Sequence, residues 1–155
     1  MKSLRLLAVG KLKTPFWQQA AAHYLERLRH TWRVTETLVR DGDAALPPAR
    51  RNADEGARLL AALGPSDIVI CMDERGKAHT SPEFAALLAR LTENATAAPC
   101  FVIGGAYGLD GEVLKRAALR VSLGPMTFPH EMARVVLLEQ LYRADCILRG
   151  SPYHH

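Results

Sequence analysis

The apolar positions of this chain fall into short continuous runs that alternate with stretches of helical spacing. LRLLAVG (4–10) is an apolar run closed by glycine, the pattern of a buried parallel strand. Lys11-Leu12-Lys13 leads to Thr14-Pro15, an N-cap followed by proline at the first helical position. Phe16, Ala20, Tyr24, Leu25 and Leu28 then recur at helical spacing through Arg29. WRVTETLVR (32–40) alternates Val34, Glu36 and Leu38 against Thr35, Thr37 and Val39, which predicts a strand with one wet face. A loop rich in Gly, Asp and Pro over 41–48 precedes a helix over 49–63, ended by Gly64-Pro65. DIVICMD (67–73) predicts a central parallel strand that empties into the charged loop Glu74-Arg75-Gly76-Lys77. Ser81-Pro82-Glu83 then caps a helix reaching about Asn94.

The stretch from Pro99 to His130 carries the densest punctuation. PCFVIGG reads as a buried strand ending in a tight turn, and RVSLGPMTFPH as a second strand ending in a Gly-Pro turn; one short helix lies between them. The last helix, 129–149, has Val135, Val136, Leu137, Leu138, Leu141, Ile147 and Leu148 pointing in nearly every direction. That predicts burial all round, against its own sheet and against a second subunit. Five strands alternating with five helices predict an α/β three-layer sandwich with a mostly parallel sheet. At 155 residues the chain is expected to form one domain over 1–155, burying about 68–70% of its unfolded surface.

Composition narrows the chemistry. Twenty Lys and Arg against sixteen Asp and Glu give a formal charge of +4, which favours a polyanionic partner without requiring one. The three cysteines, Cys71, Cys100 and Cys146, are far apart in apolar runs and read as buried reduced thiols, which points to a cytosolic setting. No apolar run has transmembrane length, and the N-terminus lacks the pattern of a secretion signal, so a soluble protein is expected. The six histidines are scattered, so no metal site is expected.

Gly104-Gly105-Ala106-Tyr107-Gly108 could bring main-chain amides to a ligand at a strand's C-terminal end, or could need glycine for its turn alone. It is not the dinucleotide fingerprint: Ile103 stands where a glycine is needed, and no acidic residue follows about 20 positions on. Leu123-Gly124-Pro125-Met126-Thr127-Phe128-Pro129 offers apolar walls and main-chain hydrogen-bonding groups, suited to an adenine ring or to a purely structural loop. His130 opens the last helix, whose positive end favours a neutral imidazole able to act as a base. Arg134 follows one turn later, and Glu139 and Arg143 form an i,i+4 pair. The tail Ser151-Pro152-Tyr153-His154-His155 is a candidate for stacking on a base or closing a pocket, or a solvated end.

Taken together, VIGGAYGL (102–109), SLGPMTFPH (122–130), His130-x-x-x-Arg134 continuing to Glu139-Gln140-Leu141-Tyr142-Arg143-Ala144, and the ending Pro152-Tyr153-His154 resemble one family. It is the ribosomal large-subunit pseudouridine methyltransferase H family of the SPOUT class. The similarity runs from LRLLAVGKLK through MDERGK to PYH. The resemblance implies an α/β fold with a deep C-terminal trefoil knot within about 99–155, a cytoplasmic homodimer without a membrane partner, and S-adenosylmethionine held bent in the knot loops without a metal. By motif, the cofactor pocket would be lined by Met72, Gly104, Gly124, Pro125, Met126, Thr127, Phe128 and Pro129. The family usually has leucine at the position of Met72, serine at that of Gly124 and arginine at that of His155.

The reaction so implied is methylation of N3 of a pseudouridine in helix 69 of 23S rRNA, on the assembled 70S ribosome. N3 is protonated at neutral pH, so such an enzyme must align it with the methyl and help remove its proton. His130, Tyr153 and His154 are then candidates for shaping the base site, with Arg134, Glu139 and Arg143 holding phosphate or orienting the base. Lys11, Lys13, Arg75 and Lys77 are candidate contacts to rRNA. Two rivals stay open: a SPOUT methyltransferase for another RNA base, and a non-catalytic ribosome-binding module.

Overall fold

The computed structural model describes residues 1–153. In chain order its elements are β1 (Lys2–Val9), α1 (Pro15–Leu28), β2 (Trp32–Val39), α2 (Pro48–Ala62), β3 (Asp67–Ala78), α3 (Ser81–Leu91), β4 (Ala98–Ile103), α4 (Gly111–Arg116), β5 (Leu119–Ser122) and α5 (His130–Arg149). The strands form one parallel sheet in the order β2-β1-β4-β3-β5, so the α/β expectation holds.

Because strand side chains alternate faces, the apolar runs divide into two cores. Leu4, Leu6 and Ala8 of β1, Ile70 of β3 and Phe101 and Ile103 of β4 pack beneath α1, α3 and α5. Leu7 and Val9, Val69 and Cys71, and Cys100 and Val102 face the other way, against Leu59 of α2 and Val113 of α4. The central strands are therefore covered on both faces, which is why their sequences are continuously apolar. Burial pushes the Cys71 thiol up to about 11 and the Cys100 thiol up to about 12, so both stay protonated. At the sheet edge, β2 leaves Thr35, Glu36 and Leu38 exposed.

Four local expectations are corrected. Thr14 makes no side-chain cap; its hydroxyl instead donates to Glu131 Oε2 at 2.8 Å. The cap of α3 is Thr80 rather than Ser81, in a capping box: Glu83 N–H donates to Thr80 Oγ1 at 3.2 Å and Thr80 N–H to Glu83 Oε2 at 2.8 Å. α3 also ends at Leu91, short of Asn94. The charged segment after Asp73 is not a plain loop, since β3 pairs Met72 with Val121, leaves the ladder, and pairs again at Lys77 with the same Val121.

Only Leu148 and Arg149 of the 20-residue helix α5 are exposed, as its apolar wheel predicts. Within the chain its flanks pack against α1 and α3.

Two predictions follow from these ends. Thr80→Ala should cost about 1 kcal/mol of stability by loss of the cap, read by urea denaturation. Glu83 and Glu131 are both held below the ordinary carboxylate value of 4.5, chiefly by N–H donors, from Thr80 and from Lys13 respectively. Their stabilisation is therefore complete above about pH 4.5 and should be lost as pH falls through their lowered values, read by melting temperature against pH.

Candidate active site

The C-terminal ends of β3, β4 and β5 open into one cavity of about 830 Å³. That is the end of a parallel α/β sheet at which ligands bind, and the volume lies within the roughly 300–1,000 Å³ of small-molecule sites. The segment Met72–Arg75, the turn 104–108, the loop after β5, and His130 and Ala133 of α5 line it. Gly104 is required by the turn, because a Cβ there would stand 2.4 Å from the Gly108 carbonyl oxygen. Ser122 shapes the second loop: its hydroxyl accepts from Gly124 N–H at 3.0 Å and lies 3.1 Å from Glu74 O. Thr127 Oγ1 donates to Glu74 Oε2 at 2.7 Å, so Glu74 ties the β3 segment to the loop 123–129.

Of the candidate cofactor residues, Met72, Gly104, Gly124, Met126, Thr127, Phe128 and Pro129 all line this cavity, and His130 stands with them. Pro125 does not; it is exposed and stands outside the cavity lining. The cavity also contains Asp73, Glu74, Tyr107 and Arg120, which sequence reasoning did not select.

Arg134 is corrected. It is 2% exposed and points inward, donating from Nη2 to the Val9 carbonyl at 3.1 Å and the Gly10 carbonyl at 2.8 Å. Burial lowers its pKa, opposed by the Glu36, Glu131 and Asp41 carboxylates. It therefore fixes the end of β1 and does not reach a phosphate. Beside it, Glu131 accepts from Lys13 N–H and the Thr14 hydroxyl, so the first turn of α5 is tied twice to the segment after β1.

Glu139, Arg143 and Tyr153 form a second cluster. Arg143 Nη2 donates to Glu139 Oε1 at 2.6 Å, Tyr153 OH donates to the same oxygen at 3.3 Å, and the Arg143 guanidinium lies 5.1 Å from the centre of the Tyr153 ring. Burial, with Tyr24 and Glu139 nearby, holds the Tyr153 phenol well above its ordinary value, and the hydrogen bond to Glu139 raises Arg143. Both groups therefore keep their protons and serve as donors. At 1.5 Å per residue, Arg143 is about 20 Å along α5 from His130, so one chain does not bring the two clusters together. His154 lies outside the described residues.

Among the basic candidates, Arg75 lines the cavity and Lys13 stands 3.7 Å from Asp41. Lys11 is exposed, and Lys77 sits where β3 rejoins β5. A further group missed by sequence lies behind the turn 104–108: Arg51, Asn52 and Glu55 of α2, with Asn52 Nδ2 donating to the Tyr107 carbonyl at 3.0 Å. The available signal was Gly56, a glycine inside a helical pattern and so a mark of close approach. A Cβ there would lie 2.8 Å from Asp110 Cβ. Among the described residues no three His, Cys, Asp or Glu side chains converge as a metal site, and no helix is long and apolar enough to cross a membrane.

A family model described as a predicted SPOUT methyltransferase matches residues 1–154, and the chain belongs to that family. Within it, the chain is 92% identical over 155 residues, all of both proteins, to the ribosomal RNA large subunit methyltransferase H of Nitratidesulfovibrio vulgaris (strain DSM 19637 / Miyazaki F). It is 60% identical, again over the whole of both chains, to the protein of that name from Oleidesulfovibrio alaskensis, and 49% identical to that of Maridesulfovibrio salexigens over 100% of this chain and 99% of the other. Among solved structures, a probable methylase family protein from Haemophilus influenzae Rd KW20 aligns with a TM-score of 0.56 at 13% identity, covering 98% of this chain and 70% of that one. That likeness supports the fold alone.

Gly104→Ala should cost about 1–3 kcal/mol of stability, because the turn has no room for the methyl; urea denaturation reads it.

Proposed function

We propose that this chain, as one domain over 1–155 with a deep trefoil knot within about 99–155, is a cytoplasmic S-adenosylmethionine-dependent methyltransferase of 23S rRNA. Its target in this reading is N3 of the helix 69 pseudouridine on the 70S ribosome, and it works as a homodimer. The observation that carries the reading is the cavity at the strand ends with His130 at its edge, in a chain whose full-length relatives are named as methyltransferases of large-subunit rRNA.

The cavity's chemistry suits the methyl donor. Ile103, Leu109, Val121 and Phe128 give apolar walls for an adenine ring, Asp73 and Glu74 complement a cationic sulfonium or ammonium, and Arg75 and Arg120 a carboxylate. The donor, when bound, supplies a methyl made electrophilic by its positive sulfur. All else falls to the protein. In this reading His130 takes the N3 proton, which is supported by its place in the cavity lining and by the absence of a hydrogen bond from its imidazole to the described residues. Glu131 and Arg134 hold its turn still, which is worth much when the reacting atoms must meet in line. Glu139 already accepts from Arg143, Gln140 and Tyr153, and Tyr153 keeps its proton, so neither is the base.

The cationic Arg143 and the donor phenol of Tyr153 suit a phosphate or the carbonyl edge of a base. At about 20 Å from His130 on the same helix they would reach a cavity most simply on a second copy of the chain, which is what favours the homodimer.

His130→Ala should lower kcat by roughly 10²–10⁴ while leaving the Kd for S-adenosylmethionine nearly unchanged. Single-turnover transfer of labelled methyl to unmodified ribosomes measures the first and calorimetry the second. Equal losses in both would make His130 a pocket residue instead.

A further inference from the structure

Five buried side-chain polar atoms among the described residues make no hydrogen bond, and three of them lie together on α2: Arg51 Nε, Asn52 Oδ1 and Glu55 Oε1. All three face the back of the turn 104–108. Glu55 is 2% exposed, and its Oε2 accepts from Gly42 N–H at 2.9 Å. Arg51 Nε stands 3.5 Å from that same oxygen, near enough for attraction between charges but without a hydrogen bond. Oε1 is left over. It presses so closely on the turn that a Cβ at Gly105 would be only 2.7 Å from it. The other two residues hold the neighbouring part of the turn, Asn52 through the Tyr107 carbonyl at 3.0 Å and Arg51 with its guanidinium 5.7 Å from the Tyr107 ring centre.

A buried carboxylate oxygen without a donor is costly and calls for a reason. Packing alone does not call for a carboxylate: Leu59, one turn further along α2, is buried in the apolar core without that cost. The other side of Gly105 is the cavity.

We propose that Glu55 is a positioning residue for the methyl-donor pocket: its Oε1 is kept as a vacant acceptor for a main-chain N–H of the turn 104–108, which it receives when the donor loads. Glu55 touches no substrate; it acts through Gly105. The inference rests on the reading that this cavity takes S-adenosylmethionine. It assigns to α2 a part in donor binding that the loops after β4 and β5 do not show.

The chemistry of glutamine makes the test specific. Gly42 N–H requires an oxygen at the Oε2 position, so Glu55→Gln must turn its NH₂ toward Gly105 and place a donor where the turn needs an acceptor. Calorimetric titration of S-adenosylmethionine into wild type, E55Q and G105A, with melting of each unliganded protein, reads the outcome. Wild type should bind, and E55Q and G105A should each bind about tenfold more weakly, the scale of one hydrogen bond. In the G105A background, E55D keeps the carboxylate but withdraws it by one methylene, and should regain part of the lost affinity. E55Q, which adds no heavy atom and so no clash, separates the hydrogen-bonding role from a merely steric one: a merely steric Glu55 would leave its affinity unchanged.

E55Q binding within twofold of wild type overturns the proposal, whatever happens to its melting temperature. If E55Q does not fold, G105A decides on the same criterion. A wild-type protein that takes up no S-adenosylmethionine overturns the donor reading and this inference with it, whereas normal wild-type binding with unaffected variants removes this inference alone.

Discussion

The fold closes on a buried positive charge. Arg134 reaches from α5 to the carbonyls of Val9 and Gly10, joining the last helix to the end of the first strand across more than 120 residues of sequence. A guanidinium out of water is expensive unless hydrogen-bonded, and removing such a partner typically costs several kcal/mol. The constraint sets where α5 begins. With Glu131 clasping Lys13 and Thr14 beside it, the first turn of α5 has little freedom, and His130 sits on that turn at the edge of the cavity.

From that fixed point the site divides. One half is the cavity at the ends of β3, β4 and β5, made from main-chain turns whose close approaches need glycine or a short hydroxyl, as at Gly104 and Ser122. The other is the Glu139–Arg143–Tyr153 cluster, whose donors are held protonated, Arg143 by its hydrogen bond to Glu139 and Tyr153 chiefly by burial. His130 at the edge of the first and Arg143 of the second stand on one helix, about 20 Å apart. A rigid α5 keeps that spacing, and it makes the meeting of the halves a question of assembly between copies.

Much of this was legible in residues. Every strand and helix is present, because Gly and Pro punctuate the chain and because central parallel strands such as DIVIC and CFVI have no wet side. The loops at 104–108 and 123–129, read from the same punctuation as candidates for a ligand site or for structure alone, both line the cavity. Three features escaped. β3 rejoins β5 beyond its charged excursion through main-chain pairing, to which hydropathy is blind. Arg134 read as a group holding phosphate or orienting the base because nothing in a helical wheel says that the carbonyls of a distant strand end will meet it. Glu55 lies in a helix of ordinary amphipathic pattern, and its meaning depends on what packs against it, namely Gly105. The distance between His130 and Arg143, by contrast, was available from 1.5 Å per residue, and grouping them by motif overlooked it.

The central claim is that the cavity serves methyl transfer to one pseudouridine of 23S rRNA. Mass mapping of helix 69 from cells lacking this protein, beside cells in which it is restored, tests that most directly. The account predicts a pseudouridine lighter by one methyl group without the protein and the methyl regained on restoration. An identical helix 69 in the two would contradict it.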